Sequence, residues 1–409
     1  MTLMNPMYRD LSYLHLAPSL ASRGQGADAA RLEAAANAPV LRVRIAEPVV
    51  IASIELLFNH GQYFVRTRSR DGAEGIAVAS DRASYLHPLL KDLIVPYFLG
   101  KDARQLEQLL DGVYGYENNY KLSGLAFWCC VSWVEASLLD LLGRIEGRPV
   151  GDLLGGVLRD EVPIYVASGN RGTTPEEEVE VLQGRMAATG ARAVKFKIGG
   201  RMSRNADSST GRSERLIALA RKTLGDAIAI HADGNGSYDP DFAIQYGHLL
   251  EDIGAFFYEE PCPFDHLEET LAVANALDIP LAFGEQETSL RRFRWVIEHD
   301  AAQVVQPDLQ YNGGFIRTTR VARMAALKGI PVTPHISSGF GYAYMLHFAS
   351  YIPNLGAFQE LKSGVAETGG LFDPILEVKD GVMKTPRGPG LGLDEAVVRG
   401  LLRHAHTLW

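Results

Sequence analysis

The chain has 409 residues, 46% of them apolar and 22% charged, and a net charge of −9; it is long enough for a barrel and a second domain and is ordinary for a soluble globular protein. The acidic balance argues against nucleic acid or an anionic membrane as partner, while local basic groups remain able to hold a small anion. The longest apolar stretch, Gly124 to Val134, soon meets Glu135 and Asp140 and is too short to span a membrane, and the N-terminus lacks the basic-then-apolar order of a signal peptide.

Residues 1–38 are Ala-rich and mixed in character, and read as an N-terminal extension, either loose or a helix docked on a neighbour. From 39 to 155 the pattern is that of a small α+β domain. Strand-like runs at Val49–Phe58 and Gln62–Arg68 are separated by a turn at Asn59-His60-Gly61, and Ser69–Gly72 closes a second turn, as in a β-meander. Helical patterns follow at Arg104–Leu110 and Leu125–Ile145, the second stopped by Gly147-Arg148-Pro149. Cys129 and Cys130 are adjacent and Cys262 is left over. They resemble buried apolar positions in a reducing cytoplasm more than a disulfide framework.

From 156 to 365 short strands alternate with amphipathic helices. Strand ends fall near Ser168, Lys197, Asp233, Glu259, Glu285, Asp308, His335 and Glu360. This is the order of a (β/α)8-type barrel, whose C-terminal strand ends converge on one mouth where chemistry is done. A polar, Gly- and Ser-rich loop, 199–212, lies over that mouth, and Arg201, Arg204 and Arg212 in it are either solvated or contacts for the far end of a substrate. Past Glu360 the alternation stops. Residues 376–384 read as a hairpin turning at Asp380-Gly381, and the segment 366–409 is expected to return to the first domain.

Asp233, Glu259 and Glu285 each close an apolar run at even intervals. Three converging carboxylates repel one another unless a divalent cation neutralises them, and all-oxygen ligation suits Mg²⁺. Lys195 and Lys197 share one face of their strand and point inward, with Phe196 outward against the helices. Two buried ammonium groups need facing anions, and a poorly solvated Lys197 beside a cation can serve as a base. Asp308 and His335 end consecutive strands, so the carboxylate can bond one imidazole nitrogen and leave the other to take a proton. Asn235 is either a turn residue or a substrate contact. Glu360, with Gln359 as the choice if the register slips, can hydrogen-bond a developing enolate oxygen when protonated. Glu260 and Glu287 either support the ligands or are solvated. The His404-Ala405-His406 pair lies in the tail, away from the first strand end where an amidohydrolase barrel needs it, and neither a dinucleotide fingerprint nor a Walker pattern occurs.

These motifs (Lys195-Phe-Lys197, Asp233-Gly-Asn235, Glu259-Glu-Pro261, Gly284-Glu285, Pro307-Asp308, Pro334-His335 and Gln359-Glu360) resemble, in order and spacing, the mandelate racemase subgroup of the enolase superfamily over about residues 40–400. Leu141-Leu-Gly143 with residues 149–156 is similar to its junction between capping domain and barrel. The resemblance implies Mg²⁺ on Asp233, Glu259 and Glu285, acid/base roles for Lys197 and the His335–Asp308 dyad, and substrate contacts from Lys195, Asn235 and Glu360. It also implies abstraction of the proton α to a carboxylate, through an enediolate. The expected activity is dehydration of an acid sugar to a 2-keto-3-deoxy acid. A racemase or epimerase is the alternative within enzymes, and a ligand-binding or regulatory protein with a retained site the alternative outside them. A homo-oligomer acting on a small carboxylate in the cytoplasm is the expected setting.

Overall fold

Three antiparallel strands, β1 (Ile51–Asn59), β2 (Gln62–Ser69) and β3 (Glu74–Ala79), open the computed structural model, which describes residues 29–337, 340–362 and 365–409. The β1–β2 turn is made by His60 and Gly61, with φ of 45° and 81°, a conformation whose twist suits a tight hairpin. One face of the sheet lies on the helix Leu125–Glu146. Thr67 Oγ1 is 2.6 Å from Ser137 Oγ, and at Gly75 a Cβ would come within 2.1 Å of Ser137 O. Only glycine allows that approach. The opposite face carries Arg66 and Arg68, both paired with Glu55.

The Leu125–Glu146 helix is apolar all round because it is buried nearly all round, and it stops at Gly147 in a left-handed conformation. Its length and composition would allow it to cross a membrane, but it lies inside the protein. Its two buried acids connect the layers. Asp140 accepts from Ile76 N at 2.8 Å in the sheet and from Leu391 N at 2.7 Å in the C-terminal return. Glu135 accepts from Phe315 N and Ile316 N, at 2.6 and 2.9 Å, at the start of a barrel helix. A carboxylate at a helix N-terminus satisfies donors that have no partner within the helix. Ahead of the sheet, the helix Ala29–Asn37 buries Leu32 and Ala36, and its Glu33 pairs with Arg294 at 2.8 Å. The rest of the expected extension, residues 1–28, lies outside the described residues.

The barrel strands are β4 (Glu161–Ala167), β5 (Ala193–Lys197), β6 (Ala229–Asp233), β7 (Phe257–Glu259), β8 (Leu281–Phe283), β9 (Val304–Val305) and β10 (Gln359–Leu361). Neighbours from β4 to β9 pair in parallel, and β10 pairs in parallel with β4. The remaining ring position shrinks to Val332, bridged to Val305 on one side and Leu355 on the other. Pro331 and Pro334 flank it, and residues without an N–H cannot extend a ladder. The order of the strands is that of a (β/α)8-type barrel, with Leu355 leading into β10.

Three expected strand ends lie beyond their strands. β8 stops at Phe283 and β9 at Val305, so Glu285, Asp308 and His335 stand in the following loops. Gly284, at φ 120° and packed against the Phe293 ring, turns the chain out of β8, and Pro307 and Pro334 do the same for the next two. Beneath the mouth the barrel is filled by Tyr165, His231 and Phe257: Tyr165 meets His231 edge to face with ring centroids 4.6 Å apart, and His231 stacks on Phe257 at 4.0 Å.

The hairpin β11 (Val378–Lys379) and β12 (Val382–Lys384) turns at Asp380-Gly381. Contrary to expectation it does not join the first domain: β12 pairs antiparallel with the start of β4. The return begins later. Gly390 bridges Pro149, Asn59 Nδ2 donates to Leu401 O at 2.6 Å, and β13 (His406–Thr407) pairs with β1.

Candidate active site

β5, β6 and β7 present Lys195, Lys197, Asp233 and Glu259 to the mouth, because alternate residues of a barrel strand point inward. All four are buried. Lys195 Nζ donates to Glu259 Oε1 and Oε2 at 3.0 and 2.7 Å and lies 2.8 Å from Glu360 Oε1. Lys197 Nζ donates to Asp233 Oδ2. Glu285 completes the cluster from the loop after β8. Carboxylate oxygens of Asp233, Glu259 and Glu285 all lie within 4.8 Å of one another.

Burial opposes ionisation throughout the cluster, and neighbours decide each outcome. Against burial, Lys197 and Lys195 hold Asp233 below the usual carboxylate range. Burial and the charge of Asp233 push Glu259 well up, despite Lys195. Burial lowers the proton affinity of Lys195, but Glu259 and Glu360 more than reverse this. Glu360 is itself held well below the usual range, burial being outweighed by Lys195 and Lys362. Glu360 Oε1 faces Lys195 Nζ, and Ile336 N donates to Glu360 Oε2 at 2.9 Å. Gln359, on the other face of β10, donates to Gly356 O.

Across the mouth, His335 Nδ1 lies 2.8 Å from Asp308 Oδ2, and Asp308 Oδ1 accepts from Gln310 N and Tyr311 N at 2.7 and 3.0 Å. His335 Nε2 is 3.4 Å from Glu285 Oε2. Lys197 thus stands on the Asp233 side of the triad and His335 on the Glu285 side. The first domain reaches this dyad: Trp133 Nε1 donates to Gln310 Oε1 at 3.2 Å, and the Arg82 guanidinium lies 4.7 Å over the Tyr311 ring, beside His335.

Asn235 makes hydrogen bonds within the protein through both ends of its amide. Nδ2 donates to Asp233 Oδ2 at 3.2 Å and Glu285 Oε1 at 3.1 Å, and Oδ1 accepts from Arg171 Nη2 at 2.7 Å. Glu260 and Glu287 are both buried, so neither is solvated. Glu287 caps the following helix through Thr288 N and Ser289 N. In the 199–212 loop, Arg201 and Arg204 are exposed, but Arg212 is fully buried and donates to Thr173 O at 2.6 Å and Lys197 O at 3.1 Å. It is structural and unavailable to a distal substrate group. Sequence reasoning missed Arg171 and Lys362. Lys362, two residues past Glu360 and so on the same strand face, places Nζ 2.7 Å from His335 Nε2.

The residues fit a hard divalent cation. Three carboxylates converge, two ammonium groups leave their charge uncompensated, and Glu285 Oε2 accepts no hydrogen bond among the described residues. An all-oxygen donor set suits Mg²⁺.

Comparison with known proteins gives the same architecture. Residues 177–395 match the model of the Enolase C-terminal domain-like family. Arabinonate dehydratase of Saccharolobus solfataricus is 28% identical over 349 residues, covering 83% of this chain and 90% of that protein. The crystal structure of a provisionally named racemase from Roseobacter denitrificans is 34% identical, with a TM-score of 0.80 over 88% of this chain and 98% of that one. A mandelate racemase/muconate lactonizing protein from Paracoccus denitrificans, solved in complex with magnesium, is 27% identical with a TM-score of 0.78 over 88% of this chain and 99% of that one. The chain belongs to the Enolase C-terminal domain-like family, among the mandelate racemase-like members of the enolase superfamily.

Proposed function

We propose that the protein is a Mg²⁺-dependent acid-sugar dehydratase, which removes the proton α to a carboxylate and expels the β-hydroxyl to give a 2-keto-3-deoxy acid. The observation that carries this reading is a buried carboxylate triad with a proton-transfer group on each side, Lys197 against Asp233 and His335 against Glu285. Similarity to arabinonate dehydratase supports the substrate class.

Mg²⁺ held by Asp233, Glu259 and Glu285 would stabilise the negative charge that grows on the substrate carboxylate as the α-proton leaves. Lys195, fixed by Glu259 and Glu360, presents an ammonium to that carboxylate. One of Lys197 and His335 takes the α-proton as the C–H bond breaks. The other, or the same group after protonation, gives a proton to the β-oxygen as the C–O bond breaks, so water leaves. The resulting enol ketonises by taking a proton at the former β-carbon as its O–H proton is lost. Asp308 keeps the His335 Nδ1 proton engaged and leaves Nε2 for exchange. A base on both sides also suits transfer of the α-proton from one face to the other, so racemisation or epimerisation is the second reading.

A library of mono- and diacid sugars assayed with Mg²⁺ tests this. The expected result is 2-keto acid release that EDTA abolishes and Mg²⁺ restores, with Glu259→Gln weakening metal binding. Turnover by rigorously metal-depleted protein would overturn the proposal. Exchange of the α-proton with no 2-keto acid from any sugar would leave epimerisation in its place.

A further inference from the structure

Arg171 follows β4 in the run Ser168-Gly169-Asn170-Arg171 and spans two neighbouring loops. Its Nε donates to Gly199 O at 3.1 Å, just past β5, and its Nη2 to Asn235 Oδ1 at 2.7 Å, just past β6. Asn235 adopts φ 42°, which folds the chain back so that its own N donates to Asp233 Oδ1 at 2.8 Å. Its amide then divides two hydrogens between Asp233 Oδ2 and Glu285 Oε1. Chemistry leaves one orientation for that amide. A guanidinium only donates and an ionised carboxylate only accepts, so Oδ1 must face Arg171 and Nδ2 the two acids. A flipped amide would set donor against donor and acceptor against acceptor.

We propose that Arg171 is a positioning residue of the metal site: by fixing the Asn235 amide it sets the separation of Asp233 and Glu285 that suits a divalent cation. This rests on the reading that the carboxylate triad binds such a cation. Without Arg171 the amide keeps its two acceptors but loses the anchor at Oδ1 that ties it to the loop after β4, so the position from which it spaces the two acids is no longer fixed. Mg²⁺ tolerates little departure from octahedral geometry, and outer partners of metal ligands typically govern affinity by about 10–100-fold. An opposing effect exists, because a guanidinium near the triad also repels a cation. The sign of the change on removing Arg171 therefore decides between positioning and plain charge.

The test is binding of Mn²⁺ followed by electron paramagnetic resonance, with Mg²⁺ as competitor, on folded wild type, Arg171→Met, Arg171→Lys, Asn235→Ala and the double variant Arg171→Met/Asn235→Ala. Arg171→Met is expected to weaken Mn²⁺ about tenfold or more. Arg171→Lys, which keeps a donor, should recover part of the loss, and it carries the test if Arg171→Met does not fold. The double variant should bind no more weakly than the worse single one, because both changes break one relay. Unchanged or tighter Mn²⁺ binding by Arg171→Met, or fully additive losses, would overturn the proposal, as would a change confined to the substrate KM. If folded wild type itself binds no Mn²⁺, the triad reading has failed first, and the positioning role with it.

Discussion

Lys362 Nζ stands 2.7 Å from His335 Nε2, the ring nitrogen that Asp308 leaves open. An ammonium offers no lone pair, so Nε2 is the acceptor and the ring proton sits on Nδ1 toward Asp308. Lys362 also donates to Ile336 O at 2.8 Å and lies 3.6 Å from Glu360 Oε2. A proton bound for His335 must displace this ammonium, and an anionic or hydroxyl-rich substrate gives the ammonium somewhere to go.

Lys362→Met is accordingly expected to raise the substrate KM roughly 10- to 100-fold, the loss of a charged hydrogen bond, with a smaller effect on kcat. Steady-state kinetics at saturating Mg²⁺ checks this. A fall in kcat with KM unchanged would show that Lys362 serves the base and not the substrate.

Asp308 has one oxygen held by two backbone N–H groups and the other on His335. In Asp308→Asn the backbone donors keep the amide oxygen, which turns the NH₂ toward Nδ1. That reverses the ring tautomer and puts the proton on Nε2, where the base must be empty. His335-dependent turnover should fall about 10²- to 10⁴-fold, with little change in Tm. Normal activity in a folded Asp308→Asn protein would remove Asp308 from the dyad.

How far the fold and site could be read from sequence depends on local periodicity. Asp233 and Glu259 end short apolar runs that are true strands, so their convergence follows from alternation alone. Asp308 and His335 are placed by loops, yet Pro307 and Pro334 mark the exits and bring them close to where a strand end would be. What escapes is whatever depends on long-range geometry. Arg171 carries no pattern of its own and acquires a role only because three consecutive loops meet. Arg212 looks like its neighbours Arg201 and Arg204, but the chain turns it inward onto Thr173 O and Lys197 O. The 378–384 hairpin is legible as a hairpin, whereas its choice of β4 over the first sheet is not, since pairing partners are not encoded locally.

Glu135 links the Leu125–Glu146 helix to the barrel, and its pH dependence has a definite sign. Burial raises its pKa from the ordinary carboxylate value to about 8, despite the two backbone N–H groups that favour its charge. A raised folded-state pKa means that the folded protein holds a proton the unfolded chain has released. The contribution to stability is present below the unfolded value and is lost as pH rises through the folded one, at up to about 1.4 kcal/mol per pH unit. Glu135→Gln keeps an acceptor for only one of Phe315 N and Ile316 N, a loss that does not vary with pH, and it cannot ionise. Chemical denaturation from pH 5 to 8 should therefore show wild-type stability declining relative to Glu135→Gln. Parallel curves for the two proteins would show that Glu135 titrates alike in both states.

The two candidate bases should be stereochemically separable. Lys197 reaches the triad from β5 at Asp233, and His335 reaches it at Glu285 from the loop after the Val332 bridge. A substrate seated on the triad would then present one face of its α-carbon to each. Each base needs the shared metal and its own geometry, and neither needs the other in order to remove a proton. Lys197→Ala should therefore abolish deuterium incorporation from D₂O for one C2 epimer and preserve it for the other, and His335→Asn should show the reverse. Mn²⁺ binding by each variant establishes beforehand that the triad is intact, because Lys197 and His335 both touch candidate ligands. If both variants lose exchange with the same epimer and keep it with the other, the two residues serve one face. One of them must then act in binding, and a dehydration that needs a proton donor opposite the base would have to take its proton from elsewhere.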